Sequence, residues 1–416
     1  EAGDSEELGI GFGQFENGES SGVYLAEVYK VKMTVVLRAE DYEYIAEGSA
    51  HLIAAYHGPE NSVLSGKVLR VALEDSAEAG DSEEQFIRSV MMRLIGSKYA
   101  DPGTPVPCTR EFLEALEKRV EPVRKKGKVP HAIDKERPSI LLKQNFSASF
   151  GAGSWCLELK PKYYLTARSR LLPPELSEKY RTAFFEMLFD RGAVGAYNPA
   201  DLLSGDRVRI TRAVRALWES GHKWLKVFKD GKGFSTRADV EAQISSDILL
   251  EEAILAMEMN KELSDHIQMI QMKEYVDSYG AKLILDELLQ RFNSDRGAIE
   301  EKLWNIYMNP EALTSLPVEL VAYETSAQAN EQSSNESFTK AKEGLSELDD
   351  QTLFGFVADY MIAAVAKDLS IMICLKQDET GSWQRSVNVV DLGVKGLDKV
   401  DEWFTRDSEL TRKFKT

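Results

Sequence analysis

The chain has 416 residues, 43% of them hydrophobic and 29% charged, with a formal net charge of −17. That length exceeds one small core and predicts two or three domains, and the composition is that of a globular protein. No apolar run is long enough to span a membrane, and three scattered cysteines without a C-x-x-C pair exclude both a disulfide framework and a structural zinc site, which points to an intracellular, nuclear or cytoplasmic, setting.

Residues 1–22 are rich in Gly, Ser and Glu and predict a flexible arm. Strands are expected at 23–37, 43–46, 51–57 and 67–73, followed by an acidic loop at 74–85. Helices are expected at 86–95 and 111–120, with a short buried strand at 139–142. From 151 onward the pattern turns to longer helices, notably 239–260 and 273–292. A polar stretch at 325–346 reads as a loop. In the next helix Leu353, Phe356, Val357, Tyr360, Met361 and Ala364 repeat at helical spacing. The outline is α+β: a β-rich N-terminal lobe at 23–145 and a larger mixed α/β C-terminal lobe at 146–416. A two-lobed nucleotide-binding kinase is one fold that such an outline would fit.

Charge is distributed unevenly. Residues 118–232 hold 24 Lys and Arg against 12 Asp and Glu, a local +12. A basic middle in an acidic chain points to a focused anion site and away from a nucleic-acid surface. Within it lies "CLELKPKYY" (156–164). If this stretch is extended, Glu158, Lys160 and Lys162 share one face, while Leu157, Leu159 and Pro161 share the other. A solvated edge strand would look the same, since edges tolerate proline.

Two glycine-rich stretches could meet phosphate. "GIGFGQ" (9–14) sits among Glu6, Glu7, Glu16 and Glu19, which would repel it, and reads as linker. "AEGSAHLI" (46–53) lies between two expected strands, and its small residues let backbone N–H groups approach an anion. Lys67 opens the following strand, a layout by which kinases cover and neutralise nucleotide phosphates; an ordinary hairpin is the alternative. Near the C-terminus, the stretches 366–375 and 386–395 each contain an apolar β-favouring run and are expected to pair as a hairpin, with Asp368 before its first strand and Asp391 after its second. Asp368 and Asp391 then meet at its open end, with Lys367 and Lys395 nearby. One carboxylate on a metal and one aimed at a hydroxyl would suit phosphoryl transfer; two strand-end caps would also explain the pair.

The segments "EGSAHLIAAY…GKVLRVAL", "LELKPK", "YNPADLLSG" and "AKDLSIMICL…VVDLGVK" occur in this order. Together they resemble the inositol-pentakisphosphate 2-kinase family over about residues 42–403. The resemblance implies ATP and Mg²⁺ as cofactors and transfer to the 2-hydroxyl of inositol pentakisphosphate, giving inositol hexakisphosphate (phytate). It implies ATP contacts from Gly48, Ser49, Ala50, His51, Lys67, Gln144, Glu158, Lys226 and Asp391, the last also holding metal. Asp368 and Lys160 become catalytic. Lys128, Lys162, Arg181, Lys395, Lys399 and Trp403 become substrate contacts. The expected partner is an inositol polyphosphate, not nucleic acid or a membrane, and the chain is expected to be a monomer. The substrate shell departs from the family pattern: Lys223-Trp224 replaces an Asn pair, Tyr164 replaces a Gly, and "YRTAFFEMLF" (180–189) offers only Arg181. Another inositol phosphate as substrate, or a non-catalytic inositol-hexakisphosphate binder on the same scaffold, is the alternative.

Overall fold

In the computed structural model, residues 36–48, 50–60, 62–74, 80–124, 131–163, 197–274, 276–309 and 344–414 are described. The arm at 1–22, nearly all of the expected strand at 23–37, most of the loop at 325–346, and Ser49, Lys128 and Arg181 lie outside them. Residues 344–346 of that expected loop make a helical turn.

Alternating apolar runs build the first antiparallel sheet. It contains β1 (Tyr42–Glu47), β2 (His51–Tyr56), β3 (Lys67–Ala72), β4 (Thr104–Pro107) and β5 (Ser139–Gln144), in the order β1-β2-β3-β5-β4. Strand β4 reads TPVP and gave no strand signal, because proline cannot donate to a ladder. It occupies the edge, where that loss is tolerated. Thr109 caps the helix Arg110–Val120 by accepting from the Phe112 N–H, and the Phe112 ring meets Tyr42 of β1 edge-on.

A second antiparallel sheet contains β6 (Trp155–Leu159), β7 (Leu225–Lys229), β8 (Lys232–Gly233), β9 (Ser370–Gln377) and β10 (Trp383–Val390), in the order β10-β9-β6-β7-β8. The chain is therefore mixed α and β with two antiparallel sheets. Strand β6 is central, not an edge, and it ends before Pro161, so proline interrupts no ladder.

Helix Asp350–Asp368 is capped by Asp349 and buried on every face from Leu353 to Ala366, as expected of a helix that is apolar all round. Helices Lys261–Met272, Ser278–Arg291 and Arg296–Met308 pack around it. The expected helix at 239–260 is two, Arg237–Glu241 and Ser246–Met259. The one expected at 273–292 starts at Ser278, where the Asp277 carboxylate accepts from the Tyr279 and Gly280 N–H groups. The core helix runs through Asp368 and β9 starts at Ser370, so Asp368 precedes the strand, as expected.

Among the described residues, one helix and one short segment tie the sheets together beyond the direct connection from β5 to β6. Helix Gly80–Phe86 continues through a π turn (Ile87–Met91) to Ile95. It buries Phe86, Ile87 and Met91 in the large core, while Glu83 reaches the first sheet. Beyond it, Tyr99 O accepts from Val389 N–H of β10 at 2.7 Å, and Asp101 Oδ2 accepts from Gln144 N–H of β5 at 2.6 Å.

Candidate active site

The hairpin of β9 and β10 pairs Ser370 with Val390, so Asp368 and Asp391 flank its open end, as the sequence spacing predicts. The neighbouring end of β6 supplies Lys160. Its ammonium donates to the Asp368 backbone carbonyl at 3.0 Å and to Asp391 Oδ2 at 3.1 Å. Lys162 Nζ donates to Asp368 Oδ1 at 2.7 Å. The extended backbone does not last to Lys162, whose φ is 61°. Both lysines reach the same aspartate because the chain turns between them, not because a strand alternates.

Glu158 faces the same space. Its Oε2 accepts from Lys226 at 2.8 Å. Ser370 Oγ lies 2.9 Å from Glu158 Oε1 and 3.2 Å from Asp391 Oδ2, and its single proton can serve one at a time. Asp391 sits at φ 63°, a conformation Asp tolerates better than most residues with a Cβ.

Sequence reasoning missed Arg70. Its Nη1 is 4.0 Å from Asp391 Oδ1, and its Nε donates to Glu83 Oε2 at 2.8 Å. Glu83, only 1% exposed, also accepts from Lys143 at 2.7 Å, and His51 Nε2 lies 3.6 Å away. A β3 cation held by a helix glutamate is how protein kinases aim a cation at nucleotide phosphates.

Lys67, expected under the glycine turn, is placed elsewhere. It aligns with Gln144 and donates to its side chain at 3.0 Å. His51 pairs with Ala72, so the turn lies at the opposite end of β3, about 17 Å away at strand spacing. Gly48 N–H donates to His51 O at 2.9 Å, and no atom occupies the space a Gly48 Cβ would enter. Lys399 pairs with Glu402 of its own helix, Asp398–Phe414, at 2.6 Å, and Trp403 packs edge-on against Tyr360. No contact of either residue with the Asp368–Asp391 cluster is among those described. Lys395 does act on the cluster, adding its charge to Asp368, Asp391 and His51.

The electrostatics follow from this crowding. Burial favours neutral Asp368, but Lys162 and Lys395 outweigh it and hold the carboxyl well below the usual range. Burial likewise opposes ionised Asp391, and Lys160 and Arg70 override it. Lys160 is pushed down by burial, yet Asp391, Asp368 and Glu158 carry it above the ordinary ammonium value. Burial and the Arg70 charge bring His51 down to about 3, so it is neutral near pH 7. Both aspartates keep open surface, 42% of the Asp391 side chain and 56% of Asp368, so a ligand can reach them.

Two ionised aspartates with four cations acting on them, Arg70, Lys160, Lys162 and Lys395, form one charged cluster beside the ends of β6, β9 and β10, an arrangement able to hold phosphate. A family model described as inositol-pentakisphosphate 2-kinase matches residues 44–409, and the chain belongs to that family. Among its relatives is an Arabidopsis thaliana inositol-pentakisphosphate 2-kinase, 23% identical over 89% of this chain and 92% of the relative. An Oryza sativa subsp. indica relative of the same description is 26% identical over 91% and 95%. One from Cryptococcus neoformans is 25% identical over 89% and 92%.

Proposed function

We propose that this chain is an ATP- and Mg²⁺-dependent kinase that phosphorylates the 2-hydroxyl of inositol 1,3,4,5,6-pentakisphosphate. The observation that carries the reading is Lys160, whose ammonium joins the Asp368 carbonyl to the Asp391 carboxylate while Lys162 holds the Asp368 side chain. In this reading the two sheets belong to two kinase-like lobes that divide near residue 145, with nucleotide between them.

Mg²⁺ takes one or two protein carboxylates and fills its remaining positions with water and substrate phosphates. Asp391, partly open and joined through Ser370 to Glu158, fits that need. An ion held there would supply positive charge to neutralise phosphate. Lys160 and Arg70 add fixed positive charge to the transferring phosphoryl group, and Lys226 extends the row along β7. Lys67 and Gln144 sit at the connection between the sheets. Asp368 accepts the hydrogen bond of the attacking hydroxyl and orients it. The hydroxyl oxygen bonds to the γ-phosphorus, the bond to the ADP oxygen breaks, and the hydroxyl proton passes to Asp368.

In the resting site Asp368 is a weak base, because Lys162 and Lys395 hold it ionised. A substrate phosphate that draws Lys162 away removes the largest of those charges and raises the basicity of Asp368 as the hydroxyl arrives. Loose phosphoryl transfer asks little more of a base, so positioning and charge neutralisation carry the work.

The test is incubation with ATP, Mg²⁺ and a panel of inositol phosphates, with products resolved by isomer. A new phosphate at the 2-position of the pentakisphosphate is the expected product. Transfer to another isomer would revise the substrate. Tight binding of inositol hexakisphosphate with no transfer to any isomer would replace the enzyme with a binder.

A further inference from the structure

Lys162 has backbone that needs support. Its φ of 61° lies in the left-handed region, where a Cβ crowds the next carbonyl. Such a conformation persists when its surroundings fix it. Two buried side chains do so. The Tyr197 hydroxyl donates to Pro161 O at 2.8 Å. Gln271, with no exposed surface, donates from Nε2 to Lys162 O at 2.9 Å. The same nitrogen donates to Ala366 O at 3.0 Å. Ala366 stands two residues before Asp368, in the last helical turn, where carbonyls lack partners within the helix. The amide thus gives its protons to the two segments that carry Lys162 and Asp368, whose side chains meet at 2.7 Å.

We propose that Gln271 is a positioning residue for phosphoryl transfer, setting the spacing of Lys162 and Asp368, with Tyr197 fixing the preceding residue. The inference rests on the kinase reading above. The chemistry selects an amide here. Two carbonyls converge on one atom, and the side-chain amide supplies two donors from a neutral nitrogen. An ionised glutamate would turn acceptors towards acceptors, and methionine would leave both carbonyls without that donor.

Gln271→Met is the first variant, compared with the parent by melting, steady-state kinetics and amide hydrogen exchange of the folded protein. The kcat/KM for inositol pentakisphosphate should fall ~10- to 100-fold, the cost of a displaced reacting group, while the KM for ATP stays within about twofold. Exchange across residues 160–163 should quicken. A lower melting temperature with parental kinetics and parental exchange would overturn the proposal. Should Gln271→Met fail to fold, Tyr197→Phe removes one oxygen and carries the same readouts, with a loss of roughly 3- to 10-fold for one hydrogen bond. Parental values there would overturn the proposal as well. If the parent transfers phosphate to no inositol phosphate, the kinase reading falls. The exchange measurement alone then decides whether Gln271 holds the segment.

Discussion

Lys160 and Lys162 stand two residues apart and both touch Asp368, yet their loss should have different effects. Lys160 lies between Asp391 and the Asp368 carbonyl, where charge would move in the proposed transfer. Lys160→Ala should lower kcat by ~10²–10³, the usual cost of a preorganised donor. Lys162→Ala should chiefly raise the KM for the inositol phosphate, a contact made before and during transfer. It should also move the acid limb of kcat/KM upward, because Lys162 is the largest charge holding Asp368 ionised. Steady-state kinetics across pH separate the two, and near-native values in both variants would remove LELKPK from the site. The convergence of these lysines was legible in the sequence, but its geometry was not. Alternation placed them on one face, whereas a left-handed turn brings Lys162 back to Asp368. Arg70 was hidden for a related reason. β3 carries two cations, and only the register against β2 and the reach of Glu83 distinguish them.

At the scale of elements, the hairpin carrying Asp368 and Asp391 was the most legible part. Two apolar β-favouring runs around a polar loop leave little choice of pairing. Helix boundaries were less so, because caps such as Asp277 act through side-chain geometry that periodicity does not contain. One consequence of helix packing is testable. Glu274, just after helix Lys261–Met272, is buried and meets Lys367 of the core helix at 2.5 Å. Burial raises its pKa to about 7, against the pull of Lys367. Between about pH 4.5 and about 7 the folded chain keeps a proton that the unfolded chain has lost, so stability falls as pH rises. The slope amounts to at most about 3 kcal/mol across that window. Asp368 and Asp391 are shifted the other way, and their contribution is lost only as pH falls below about 4. Glu274→Gln should therefore flatten the decline, read as urea midpoints at about pH 5 and about pH 7.5. An unchanged slope would mean that another group titrates there.

Across the whole molecule, an acidic protein sets Arg70, Lys160, Lys162 and Lys395 around Asp368 and Asp391. Binding of inositol hexakisphosphate should weaken steeply between low and high salt, because several cations face one polyanion and exposed charge is screened over about 10 Å at 0.1 M. Calorimetry at two ionic strengths measures this, and a flat response would mark the basic middle as solvated surface. Residues 118–232 signalled this charge in the sequence. What composition could not supply was the pairing of each cation: of the same stretch, Arg209 and Arg212 are engaged by Asp201 a few residues upstream, and Arg207 and Arg215 by Glu251 and Asp247 of helix Ser246–Met259.

The short segment between Tyr99 and Asp101 ties the tip of β10 to the end of β5, through Val389 on one side and Gln144 on the other. Such a rivet makes that corner a pivot. In the proposed kinase the space between the sheets would then open as a jaw does, widest at the glycine turn and least beside Gln144. Asp101→Ala loosens the rivet without touching Asp368 or Asp391. It should quicken exchange of the Gln144 amide and weaken ATP binding several-fold, in keeping with the loss of a charge-assisted hydrogen bond. Native exchange at Gln144 would show that the jaw hinges elsewhere.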